Sequence, residues 1–249
     1  LLSGVTGLVY QVVWGKYLAL FIGVTAYALT VVLATFMGGL AVGNALFGRL
    51  VDRYRRPLRL YALLELGIGL YCACFPMLFG LLSDTYLTIA SPDPSSWRNM
   101  LLKVVMAVLC LLAPTVLMGG TLPILARYVI RRLPDVGGSI GTLYFVNSGG
   151  AALGCLLAGF YLIRRFGLDA GMVAAALVNA AIGLLFLMLS RRRTEPAAGP
   201  TAPSPAAPAA AGSEAAAGSE AAAGEAVPLI WMLALVFVSG LVSMTYEVA

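Results

Sequence analysis

Histidine is absent from this sequence, and charged residues make up only 11% of it. The first absence excludes imidazole ligands and imidazole acid–base chemistry from these residues. The second excludes an ordinary water-facing surface, since soluble domains carry about 25% charged residues. Cysteine is sparse as well. Cys72, Cys74, Cys110 and Cys155 lie inside apolar runs, without zinc-site or disulfide-framework spacing, and read as small apolar side chains. No glycine-rich loop follows a strand-like run and no acidic nucleotide-binding pattern occurs. No catalytic residue, metal site or cofactor is therefore expected here. What the chain has instead is hydrophobicity: 61% of its 249 residues, with a mean hydropathy of +0.94. The net charge of +5 does not point to nucleic acid. Its arginines sit in short clusters between apolar runs, the pattern that orients membrane helices. The expected solvent, and first partner, is the lipid bilayer.

A helix needs about 20 apolar residues to cross a bilayer. Apolar stretches run over Leu1–Gly15, Leu18–Phe47, Leu58–Leu82, Met100–Ile130, Ser139–Ile163 and Leu168–Ser190. The first reads as the tail of a span whose start is missing, so the chain is expected to be a fragment. The expected fold is all-α and membrane-embedded, with residues 1–193 as a six-span bundle. Residues 194–227 are mainly Pro, Ala, Gly, Ser and Glu, a composition that buries no core and reads as a flexible or partly helical linker. Apolar sequence returns over 228–249 as the start of a seventh helix. There Ser239–Ala249 aligns with Ser3–Val13, the Ser, Gly, Tyr and Val positions coinciding, and Glu247 falls opposite Gln11.

The arginine clusters set an orientation. Arg49, Arg53, Arg55, Arg56 and Arg59 follow the second span, Arg127, Arg131 and Arg132 close the fourth, and Arg191–Arg193 close the sixth. If each span crosses once, all three clusters share one side, which the positive-inside rule makes cytoplasmic. The 194–227 linker is then cytoplasmic and the loop between Asp84 and Trp97 external. Lys16, beside Trp14 and Tyr17, reads as an interfacial anchor.

Several positions carry candidate function. The turn Gly48-Arg49-Leu50-Val51-Asp52-Arg53-Tyr54-Arg55-Arg56 resembles the major facilitator loop Gly-x-Leu-x-Asp-Arg-x-Gly-Arg. Gly48, Leu50, Asp52, Arg53 and Arg56 match it, while Arg55 stands where the pattern has glycine. The resemblance implies a latch, with Asp52 meeting helix N-terminal amides or an arginine in one of two conformations. Its alternative is a plain basic turn. Glu65 lies roughly 10 Å into the third helix, where an ionisable group serves either function or interhelix bonding. The stretch Pro114–Pro123, containing Thr115, Gly119 and Gly120, is expected to break the fourth span, either to open a cavity or as a kink near the cytoplasmic end. Asn147 and Asn179 read first as interhelix hydrogen-bonding groups. The candidate substrate contacts are Glu65, Gln11, Tyr10, Glu247, Asn147 and Thr115. Gly39-x-x-x-Gly43 and Gly150-x-x-x-Gly154 mark close helix contacts.

Taken with Tyr10–Trp14, Val32–Gly43, Pro57–Glu65, Pro114–Pro123 and Gly141–Asn147, these phrases resemble the membrane portion of the bacterial fused major-facilitator/spermidine-synthase-like proteins. The resemblance implies a six-helix half-bundle in a bacterial inner membrane and the start of a second half after a linker. It also implies a soluble aminopropyltransferase-like domain beyond this sequence, and a polyamine or other small organic cation as substrate. A membrane anchor for that transferase is the competing reading. The expected topology is checked by cysteine labelling in intact cells: an impermeant reagent should leave Arg49–Arg59 and 194–227 unlabelled from outside, and labelling of both would reverse the orientation.

Overall fold

The structure is a computed structural model that describes residues 1–192 apart from Arg55, 94–95 and 131–135. The 194–227 linker, the 228–249 segment with Glu247, and Arg131, Arg132 and Arg193 lie outside the described residues. Among those described the chain is wholly helical: α1 (Leu2–Ile22), α2 (Thr25–Arg53), α3 (Pro57–Ile89), α4 (Trp97–Ile130), α5 (Val136–Leu156), a π-helical stretch (Leu157–Leu162) and α6 (Ile163–Arg192). Five helical stretches are long and apolar enough to cross a bilayer, the last of them Gly137–Arg191. Large apolar side chains face outward, with Met77 80% and Phe145 79% exposed, as expected where lipid replaces water.

Helix ends follow local chemistry. Gly23 closes α1 in the left-handed conformation (φ 89°), its amide donating to the Ala19 carbonyl, and Val24 is extended. α1 therefore runs through Gly15 and Lys16 to Ile22, and the second helix starts at Thr25 rather than Leu18. This corrects the boundary read from sequence: an apolar helix does not stop for one lysine. Lys16 is exposed in mid-helix, while Trp14 and Tyr17, taken with it as interfacial, are buried in the core. Pro57 occupies the first turn of α3, where its missing amide costs nothing. At Gly167 the backbone leaves helical geometry (φ 84°, ψ −178°), dividing the last apolar stretch between Phe166 and Leu168.

The fourth helix is not broken, contrary to the sequence expectation. α4 is continuous across Pro114 and Pro123. Pro114 lacks the amide that would bond the Cys110 carbonyl. The Tyr71 hydroxyl of α3 donates to that carbonyl instead, at 2.7 Å, so the backbone gap is closed from a neighbouring helix.

Packing follows a repeated plan. α2 packs mainly on α4, α1 on α5 and α3 on α6, and α3 meets α4 as α1 meets α6. The contacts repeat residue by residue. A Cβ on Gly43 would overlap the Val116 carbonyl, one on Gly119 the Leu40 carbonyl, and one on Gly120 the Phe47 ring. In the other pair Gly150 meets the Leu1 carbonyl, Gly4 the Asn147 carbonyl and Gly154 the Val5 carbonyl. Leu1, Gly4 and Val5 of α1 thus occupy the places of Val116, Gly119 and Gly120 of α4. Asn147, Gly150 and Gly154 of α5 occupy those of Leu40, Gly43 and Phe47 of α2. Every spacing is the same. In the third pair Gly69 of α3 meets Ala176 and Ala180, and Gly183 of α6 meets Ala62 and Leu66. The first three helices and the last three are two versions of one unit.

Between these contacts runs an aromatic column. Tyr10 stacks on Trp14 (centroids 5.7 Å), Trp14 meets Phe75 (5.8 Å), Tyr17 meets Phe79 (4.9 Å) and Phe21 meets Tyr86 (5.4 Å). Lys103 of α4 caps its end, 5.6 Å from the Phe21 ring and 5.2 Å from that of Tyr86, and reaches the Ile22 carbonyl at the end of α1. Gly43→Leu should cost about 3 kcal/mol, because the side chain must displace backbone. Gly38, with open space around its Cβ position, should accept leucine within about 0.5 kcal/mol. Reversible unfolding in mixed micelles measures both; equal losses would remove the close-contact argument.

Candidate functional site: an end-of-helix ion pair and a buried carboxylate

Asp52 and Arg127 lie in the last turns of α2 and α4. The contacts Gly39–Thr115 and Gly43–Gly119 advance together along the two helices, so these are parallel and their C-terminal ends coincide. Arg127 suits its place because a cation complements the negative end of a helix, whereas Asp52 at the end of α2 opposes it. The Arg127 guanidinium reaches Asp52 Oδ1 at 3.0 Å and resolves the conflict. The aspartate is one-third exposed and the arginine nearly buried, with its Nε lacking a partner. The other residues of the turn support this geometry rather than join it. Gly48 faces the Pro123 ring, Leu50, Arg53 and Arg56 are exposed, and the Arg56 carbonyl caps α3 by accepting from the Arg59 and Leu60 amides. Arg55 lies outside the described residues.

Glu65 sits two turns into α3 and is wholly buried. Neither carboxylate oxygen meets the full geometry of a hydrogen bond, although the Ser3 and Tyr61 hydroxyls lie within reach to donate one. Its neighbours are Ser3 of α1, Tyr61 one turn earlier on α3, and Tyr10 of α1, which also lies beside Cys72. Among the described residues no lysine or arginine forms an ion pair with it. The Tyr10 hydroxyl and Trp14 Nε1, both buried, are likewise without partners. Removing polar groups from water without compensation costs several kcal/mol for a neutral group and far more for a charge. A cluster of such groups marks a place where bonding is completed by small rotations of Ser3, Tyr61 and Cys72 or by a group that joins them.

The repeated packing identifies a counterpart. Ala62, Leu66 and Gly69 correspond to Ala176, Ala180 and Gly183, so Glu65 corresponds to Asn179. Asn179 is also buried and its Oδ1 also lacks a partner. The correspondence is written in the sequence as Ala-Leu-Leu-Glu-Leu-Gly-Ile-Gly-Leu (62–70) against Ala-Leu-Val-Asn-Ala-Ala-Ile-Gly-Leu (176–184). That similarity was the available signal for pairing Glu65 with Asn179, and a search for repeats only between the chain's two ends passes over it. Arg127 was visible only as one of a basic cluster; its pairing with Asp52 required the helix register.

The remaining sequence candidates are placed as follows. Thr115 is buried, its hydroxyl donating within its own helix to the Leu111 and Leu112 carbonyls (2.8 and 3.0 Å) and its side chain pressed on Gly39. Asn147 is half-buried against Gly4, and Gln11 is half-buried on α1. Among the described candidates, Tyr10 alone lies beside Glu65. No family model, curated protein or solved structure matches the chain. Asp52→Asn and Arg127→Gln should each lower stability by about 1–2 kcal/mol, with a coupling of about 1 kcal/mol given the partial exposure of Asp52. A double-mutant cycle measured by unfolding in micelles gives the coupling, and strictly additive losses would dissolve the ion pair.

Proposed function

We propose that the chain is part of a membrane transporter for a small cation, residues 1–193 forming a six-span, major-facilitator-like half. The break at Gly167 supports the count. The last apolar stretch has 55 residues, about 80 Å if straight, and a bilayer core is about 30 Å thick. The twofold-repeated packing supports the architecture, because such halves are built from two three-helix repeats. The observation that carries transport is Glu65. A bundle that only anchors another domain needs close packing and gains nothing from a carboxylate wholly buried in its interior. A bundle that moves cations needs that charge. The Asp52–Arg127 pair supplies a contact able to hold α2 and α4 in one state and release them in another.

The substrate class is the one that the family resemblance implies: a small organic cation, a polyamine first among them. The bacterial inner membrane is the matching location, and the second half and a soluble transferase-like domain are the matching partners. The second reading, a scaffold for that domain, is favoured by one observation, the dense glycine contacts that make the bundle rigid. Uptake of labelled spermidine and of tetraethylammonium by proteoliposomes separates the two. Transport predicts uptake above empty vesicles that falls at least tenfold in Glu65→Gln with insertion unchanged. No uptake of either cation, with Glu65→Gln altering stability alone, would leave the scaffold.

A further inference from the structure

Gly7 is buried on α1, yet a Cβ placed on it would meet no atom within 4 Å. Elsewhere along α1 the glycines are spent on contact, Gly4 on the Asn147 carbonyl and Gly15 on Leu29. Gly7 is instead bordered by an enclosed space with room for about one methyl group. Ser3, Gly7 and Tyr10 share one face of a helix at spacings of four and three residues. Glu65 reaches toward both Ser3 and Tyr10, so it stands at the height of Gly7.

The repeat shows that this space is not a packing necessity. In the equivalent position α4 carries Leu122, and Tyr10 is replaced by Leu125. On α6 the neutral Asn179 replaces Glu65. One version of the unit has leucines and a neutral amide at these positions; the other has a glycine, a tyrosine and a carboxylate.

We propose that the space beside Gly7 is a binding site for one dehydrated alkali cation, of Na⁺ size, held by the Glu65 carboxylate and the hydroxyls of Ser3, Tyr61 and Tyr10. All of these ligands are hard oxygens, the donors such ions prefer. A water molecule in the site would satisfy hydroxyls but leave the carboxylate uncompensated. A proton on Glu65 would neutralise it but leave the space beside Gly7 unfilled. A cation does both. The site is enclosed, since Glu65 and Tyr10 are fully buried, and a bare Na⁺ is smaller than a water molecule while an organic ammonium is larger. The inference deepens the transport reading: Glu65 holds the coupling ion, and the organic substrate binds elsewhere. The titratable groups facing it are Tyr10 and Tyr61, with Cys72 next to Tyr10.

The test uses the purified full-length protein in micelles at fixed pH and ionic strength, with NaCl replacing choline chloride. Na⁺ should raise Tm saturably by about 5 °C, and ²²Na⁺ should bind at one ion per chain. Glu65→Gln and Gly7→Leu should abolish both responses, while Lys16→Gln keeps them. Gly7→Ala, the milder change, should weaken binding at least tenfold if the leucine variant does not fold. Wild-type Na⁺ affinity in either Gly7 variant would overturn the site. So would a wild-type protein that binds no alkali cation and whose Tm follows pH alone, which would make Glu65 a proton carrier. Binding is read without a gradient, so a protein that binds Na⁺ but moves no organic cation fails the transport reading and not this one.

Discussion

Backbone touching backbone is the contact on which this bundle depends. In lipid, apolar side chains gain little by meeting one another, because the hydrocarbon around them is equally apolar. Helices hold together by dispersion at close range, and range is set by the smallest residue at the crossing. Gly43, Gly119, Gly150, Gly154, Gly69 and Gly183 bring their helices to within reach of each other's carbonyls. The pairings of α2 with α4, α1 with α5 and α3 with α6 follow from these positions. So does the meeting of Asp52 with Arg127, since the register fixed at Gly43 and Gly119 decides which side chains coincide at the helix ends.

Duplication gives the arrangement an internal control. Two versions of one unit share their glycine crossings, so what differs between them is not needed for packing. Leu122 and Leu125 stand in one copy where Gly7 and Tyr10 stand in the other. Asn179 shows that the frame accepts a neutral polar residue where Glu65 stands. The void and the charge are therefore features added to one copy.

Much of the fold was legible in the sequence. Long apolar runs and arginine clusters located the helices, and the two Gly-x-x-x-Gly pairs marked real crossings. The errors had common causes. The first boundary was placed at Lys16 because a charge was read as an end, whereas Gly23, the residue able to take a positive φ, was the stop signal. Pro114 was read as a break because the side chain that repairs it, Tyr71, comes from another helix. Of the site, Glu65, Tyr10 and Asp52 stood out as polar residues in apolar surroundings. Gly7 could not, because an empty space has no letter. Thr115, a candidate contact by residue type, bonds to the Leu111 and Leu112 carbonyls and packs on Gly39, which its rotamer decides and its letter does not show.

The Tyr71 bond to Cys110 gives α4 a mechanical property. A helix bends at the cost of stretching its own ladder, but at Pro114 the ladder already has a missing rung, and the load there passes sideways into α3. The upper and lower parts of α4 are coupled less to each other than each is to its neighbours. A tilt of α3 is consequently passed to α4 at this bond, halfway along it, as well as where Gly67 meets Leu117 and Leu64 meets Gly120. The arm that ends in Arg127 can then move while the arm that carries Lys103 stays fixed in its aromatic socket.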